Sequence, residues 1–157
     1  MDQLDSIPGV DATAARVVLA EIGTDMGRFG SAARLSSWAG VSPGNHESAG
    51  KRRRSKSKRG NRDLRRVLVQ CAWGTRKTAT FLGRTFRRLE VRIGKKKAAL
   101  AVAHKMLVIV YHLLLEGTLY DEGRYTHIGS KQEDHERKRA IRALERLGYS
   151  VTVERVA

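Results

Sequence analysis

Acidic residues are scarce and scattered in this chain of 157: 16 aspartates and glutamates stand against 31 lysines and arginines. No paired Asp/Glu spacing and no His-x-x-x-His stands out, so the sequence lacks the acidic cluster that two-metal phosphoryl transfer requires. His104 and His112 lie two helical turns apart and read as core or helix-surface residues rather than a ligand pair, so no metal site is expected. The single cysteine, Cys71, excludes an internal disulfide framework and a multi-cysteine zinc site. Its neighbours Val67, Leu68 and Ala72 place it in a core-facing pattern. Aromatic residues are only 6% of the chain, too few and too poorly interleaved for a base-stacking platform. The start, MDQLDSIPGV, is acidic and lacks the apolar stretch of a secretory signal. The longest apolar run, AALAVAHKMLVIVYHLLL (98–115), is interrupted by His104, Lys105 and His112, which a bilayer would tolerate poorly. It reads as a buried helix, and the protein as cytoplasmic.

What the chain does have is positive charge. A net +15 and a pI near 10.8 make a compact state repel itself, and a polyanionic partner resolves that repulsion. Nucleic acid is the expected partner. An anionic membrane surface is disfavoured, because the charge is clustered in a polar segment rather than along an amphipathic helix. Hydrophobic content of 41% and this length predict one domain with one modest core.

Along the chain, IPGVDATAARVVLAEIG reads as a tight turn followed by a helix, with Asp11 as N-cap and Gly23 as stop. SAARLSSWAG reads as a second helix, capped by Ser31 and closed by Gly40. The pair points to helix-hairpin-helix geometry. Residues 41–60 carry Gly, Pro, Ser and charge without periodicity and read as loop. Asn61 then caps a helix through RDLRRVLVQCAWGTRKTA, with Leu64, Val67, Leu68, Cys71 and Ala72 on one face and Arg62, Arg65 and Arg66 on the other. Gly83 and Gly94 punctuate the next basic segment, and a long helix follows from about Lys95 to Leu115. The expected fold is mainly α: a helical domain over 1–117, a linker over 118–131, and a tail over 132–157 made of a charged helix and a short strand-like alternation at Val151 and Val153. No internal repeat or heptad pattern is present.

The basic stretch is the strongest functional signal. Lys51, Arg52, Arg53, Arg54, Lys56, Lys58, Arg59, Arg62, Arg65 and Arg66 run with Asp63 as their only nearby acid. Arginine outnumbers lysine, which suits bidentate phosphate contacts. Such a segment gives salt-sensitive affinity with little sequence information. The Pro8-Gly9-Val10 turn is a second phosphate candidate through Gly9 and Val10, because a helix N-terminus offers free N–H groups. Asp11 stands where such hairpins usually carry a glycine, and a purely structural turn is an equal alternative. Ser48 lies between Glu47 and the small residues Ala49 and Gly50, directly before the basic run. Lys51 and Arg52 offer charge for a phosphoryl transition state, but a serine hydroxyl needs a base or polarising surroundings, and serines in basic loops mostly just form hydrogen bonds.

The segments SIPGVDATAARVVLAEIG, FGSAARLSSWAGVSPGNHESAGKRRRSKSKRGNRDLRRVLVQCAW and ALERLGYSVTVE resemble the C-terminal domain of the DEDD-type insertion-sequence transposases. This is the one-ten group, related to the Piv DNA invertases and including the bridge-RNA-guided recombinases. The likeness covers essentially the whole chain and is most specific from Ala39 to Trp73. It implies that Ser48, in ESAGK, attacks a DNA phosphate to give a covalent intermediate, with Ser42, Ser55 and Ser57 as alternatives if the match is shifted. It implies that Lys51, Arg59 and the Arg62–Arg66 helix start position DNA or guide RNA. It also implies a RuvC-like half with a magnesium-binding acidic tetrad; these 157 residues do not contain that tetrad, so activity is expected only together with it. Recombining two duplexes makes a homo-oligomer the expected assembly, with the charged helix near 132–147 as a contributor. The competing expectation is a non-catalytic nucleic-acid-binding remnant or regulator.

Overall fold

The computed structural model describes residues 2–42, 60–125 and 139–151, together with the backbone of 47–48 and 51–52. Contacts divide the chain into two units, Met1–Tyr120 and Asp121–Ala157. The first is mainly helical, as expected, with α1 (Asp2–Asp5), α2 (Ala12–Ile22), a 3₁₀ turn (Met26–Arg28), α3 (Ala32–Trp38), α4 (Arg62–Thr75), α5 (Phe81–Ile93) and α6 (Lys95–Glu116).

Helix α6 organises this unit, because α1, α3, α4, α5 and the 3₁₀ turn all pack on it. It is apolar nearly all round, which only a central helix can satisfy. Val102, Met106, Leu107, Ile109, Val110 and Leu113 are buried, and Ala98, Ala99 and Ala103 let neighbouring helices approach closely. Among the described residues α6 alone has the length and apolar content of a membrane span, yet over half of that stretch is buried inside the fold. Each large apolar side chain buried here contributes about 1.5–3 kcal/mol.

The remaining helices begin where the sequence places caps. Asp11 Oδ1 accepts from Ala14 N at 2.7 Å, Ser31 Oγ from Arg34 N at 3.2 Å, and Asn61 Oδ1 from Leu64 N at 2.9 Å. Helix α2 stops at Gly23, whose φ of 69° few other residues adopt, and α3 ends at Trp38 with Gly40 just beyond, at φ 72°. On α4 the buried residues Leu64, Leu68, Cys71, Ala72 and Thr75 form one stripe, while Val67 is half-buried. The Pro8-Gly9 turn presses onto α4, and a Cβ at Gly9 would strike Thr75 Cγ2 and the Cys71 carbonyl.

Two expectations are corrected. Gly83 does not interrupt the basic segment; it lies inside α5, where a side chain would collide with the carbonyls of Thr75 and Thr78. It is glycine so that α5 can turn tightly against the end of α4, and Gly94, at φ 80°, makes the break instead. Residues 41–60 are not entirely loop, because β1 (Glu47–Ser48) and β2 (Lys51–Arg52) pair antiparallel. Period-2 patterning is invisible in a pair two residues long.

The stretch after α6 is tied back to the N-terminus. Gln3 Nε2 donates to the carbonyls of Leu113 and Thr118, and Tyr120 N donates to Ser6 Oγ at 2.9 Å. In the second unit, residues 122–125 and 139–146 are helical. The later helix closes on Gly148 at φ 87°, with Leu147 N and Tyr149 N both donating to Leu144 O. Val151 is in neither helix nor strand, and Val153 lies outside the described residues.

Candidate functional site

The basic loop leaves and re-enters the helical unit through a narrow neck. Gly60 lies so close to Ala39 and Gly40 that a Cβ there would overlap their backbone. Asn61 locks the junction three ways: its N–H donates to Trp38 O at 3.2 Å, its Oδ1 caps α4, and its Nδ2 donates to Glu21 on α2. On the opposite strand of the neck, Val41 N and Ser42 N both donate to Ser36 O. The two ends of an 18-residue excursion, 42–59, are thus held together by backbone contact and one asparagine.

Between the two ends of the neck, the chain contains the hairpin of β1 and β2. Ser48 pairs with Lys51 and Glu47 with Arg52, so the candidate nucleophile sits on a strand directly across from the first residue of the basic run. Arg53, Arg54, Lys56, Lys58 and Arg59 lie outside the described residues, as do Ser55 and Ser57. On the first turns of α4, Arg62 and Arg66 are exposed and Arg65 is half-buried. Ser42, at the neck, is half-buried. At the N-terminal turn, Val10 is buried and its N–H already donates to Ile7 O at 3.0 Å; Gly9 is exposed. The hairpin strands and the α4 arginines therefore come from one connected stretch, whereas the Gly9 turn packs at the far, C-terminal end of α4 beside Thr75.

Other titratable groups are accounted for by packing. Cys71 is buried, and desolvation, helped by the Asp11 carboxylate, pushes its thiol up to about 11. Burial, with Lys105 alongside, lowers the pKa of His104 and favours its neutral form. His112 is half-exposed with Nδ1 at 3.8 Å from Glu116. Among the described residues no three His, Cys, Asp or Glu side chains converge on a point that would hold a metal ion.

A second concentration of charge, seen in the sequence only as a basic segment, gains a structural setting. Between Arg76 and Lys97 lie nine lysines and arginines against a single acid, Glu90. Its signal was present in the sequence as arginines at i, i+4 spacing followed by Lys95-Lys96-Lys97, but that pattern alone is equally that of a solvated helix face.

Sequence comparison places this basic helical unit among the transposases. The family model that matches, over residues 1–86, is that of the Transposase IS116/IS110/IS902 family. The match covers more than half of the chain and takes in the neck, the hairpin and all of α4, so the chain belongs to this family. Its function is transposase-related, which implies interaction with DNA in general. Comparison with curated proteins returns no match.

Proposed function

We propose that this chain is the DNA-binding C-terminal domain of a transposase that cleaves and transfers DNA strands through Ser48. The observation that carries the reading is that the family match spans the hairpin on which Ser48 pairs with Lys51. Ser48 Oγ attacks the phosphorus of a DNA phosphodiester, forming a serine–phosphate ester and releasing a deoxyribose hydroxyl. The serine proton passes to a general base, and the departing sugar oxygen takes up a proton. A hydroxyl of the second strand then reverses the step and frees Ser48. Lys51 and Arg52, next to the nucleophile in the hairpin, offset the charge that builds on the phosphoryl oxygens. Arg53, Arg54, Lys56, Lys58, Arg59, Arg62, Arg65 and Arg66 hold the backbone of DNA, or of a guide RNA, by ion pairing.

The reaction requires a RuvC-like half whose acidic residues would hold magnesium, and that ion would supply Lewis-acid activation of the phosphate. Helices α2 and α3 serve as a helix-hairpin-helix element, the assembly is a homo-oligomer, and the protein acts in the cytoplasm.

The test combines the protein with bulged DNA, guide RNA, magnesium and the RuvC-like half of a relative, and resolves the products on a denaturing gel. A DNA-linked protein band is expected, lost in Ser48→Ala while DNA binding is retained. Equal capture by Ser48→Ala overturns the assignment. Strong salt-dependent binding without any adduct favours the non-catalytic module instead.

A further inference from the structure

We infer that the corner formed by the end of α5 and the start of α6 is a second duplex-DNA-binding surface, distinct from the basic loop. This rests on the DNA-binding reading above but not on Ser48.

Three features of the corner converge. First, it is exposed and cationic: Arg87, Arg88, Arg92 and Lys95–Lys97 all face solvent. On α5, Arg84, Arg88 and Arg92 recur every fourth residue, about 6 Å apart along the helix axis, comparable to the spacing of successive phosphates on one strand. Second, its only acid is neutralised in place. Arg76 grips Glu90 through two hydrogen bonds, of 2.8 and 2.9 Å, and Lys95 Nζ stands 4.0 Å away. The Arg76 hydrogen bond holds the Glu90 carboxyl below its usual range, so it stays ionised and paired. Third, the charge is placed where folding does not favour it. Lys95, Lys96 and Lys97 occupy the first turn of a 22-residue helix with no acidic residue in that turn and no side-chain cap, so they oppose the helix dipole. Arg88 and Lys105 repel each other enough to lower the Lys105 pKa further than burial alone.

Local structure accounts for only part of the cluster. Arg87 caps the end of α4, its Nη1 donating to Arg76 O and Thr78 O at 2.8 Å each, and Arg84 Nη1 donates to Ala79 O at 2.6 Å. These bonds hold the two guanidinium groups against the turn between α4 and α5. Arg87 also lines an open cleft of about 660 Å³ together with Arg76, Lys77, Glu90 and Val91. Capping gives no reason for Arg88, Arg92, Lys96 and Lys97. A polyanion does.

The polyanion fits a duplex rather than an unpaired strand. Residues 87–97 contain no aromatic side chain on which an unstacked base would lie, which favours contacts between their cations and a phosphate backbone. The corner is also carried on packed helices, its α5 root buried through Phe81, Leu82 and Phe86. It therefore offers a rigid row of cations to a rigid rod.

The deciding experiment measures binding of fluorescein-labelled random-sequence duplex DNA by anisotropy over a salt series, for the whole chain. The corner variant combines Arg88→Gln, Arg92→Gln, Lys96→Gln and Lys97→Gln. It is expected to lower the slope of log K against log salt by about 2–4 units, at ~0.9 for each phosphate no longer neutralised, and to weaken binding more than ~10-fold at moderate salt. The double variant Lys96→Gln/Lys97→Gln removes cations that oppose the α6 dipole, so its Tm should hold level or rise while its affinity falls. A merely structural role would not separate the two. Arg88→Lys/Arg92→Lys should keep the slope. An unchanged slope in the corner variant, alongside a reduced one in Arg52→Ala/Arg53→Ala/Arg54→Ala, overturns the second surface and leaves the loop reading standing. Salt-independent binding by the unmodified chain overturns both. A greater loss for single-stranded RNA of the same sequence than for the duplex overturns the choice of partner.

Discussion

Two stretches of this chain carry nearly the same number of cations and are unlike in support. Residues 51–66 hold ten cations and one acid; residues 76–97 hold nine cations and one acid. Seven cations of the first lie on an excursion whose ends meet at a neck, where Gly60 abuts Gly40 and Asn61 makes the tie, and its last three begin α4. The second is laid on α5 and α6, whose apolar faces are sealed into the core. The number of cations is therefore not what separates them. The difference is the free energy that holds each set of cations in place: a few hydrogen bonds at the neck, against a packed helix pair.

The sharpest way to break this comparison is to make the same steric insult in both regions. Gly83→Ala drives a Cβ into the carbonyls of Thr75 and Thr78, between two helices that cannot separate without opening the core. It should destabilise the fold by about 3 kcal/mol or more, read as a lowered urea midpoint. Gly60→Ala makes an equally close clash with Gly40, but the neck can part without disturbing α6. Its destabilisation should be about 1–2 kcal/mol, with DNA affinity falling more than stability does. Equal destabilisation by the two variants would show that the neck and the core unfold as one unit.

The dryness of the packed region can be tested through Cys71, which lies under the Gly9 turn. Its folded pKa of about 11 lies above an unfolded value near 9, so its contribution is complete below pH 9 and lost as pH rises toward 11. Unfolding free energy should fall by about 2–3 kcal/mol across that window, less so in Cys71→Ala, with no thiol labelling of the native protein at neutral pH. The smallest effect belongs to Ser36. It is fully buried beside the neck, and its hydroxyl finds no partner among the described residues. Ser36→Ala should raise stability by about 1 kcal/mol in the same urea titration, because no hydrogen bond is removed with the desolvated hydroxyl.

Much of the helical frame was legible before the fold was known. Asp11, Ser31 and Asn61 are short polar side chains directly ahead of apolar periodicity, and each caps the helix it precedes. Cys71 reads as core from its spacing with Leu64 and Leu68 and is buried. The apolar run of α6 reads as a buried helix for the same local reason. Gly83 was misread because a glycine that permits close helix packing looks, in one dimension, like a glycine that ends a helix. The hairpin was missed because pairing of two residues with two leaves no period to detect. The corner cations were seen only as a basic segment, because nothing in their own sequence says that one acid among them is tied down by Arg76.

By itself, then, the sequence determined the helical class, the caps, the burial of α6, the charge that calls for a polyanion and the motif that carries Ser48. Those properties depend on residues near one another along the chain. Tertiary structure alone decided that Gly40 and Gly60 close a neck, and that Glu90 is silenced while the cations around it stay exposed. Each of these is a meeting of backbone or side chains brought together by the packing on α6, and no local pattern records such meetings.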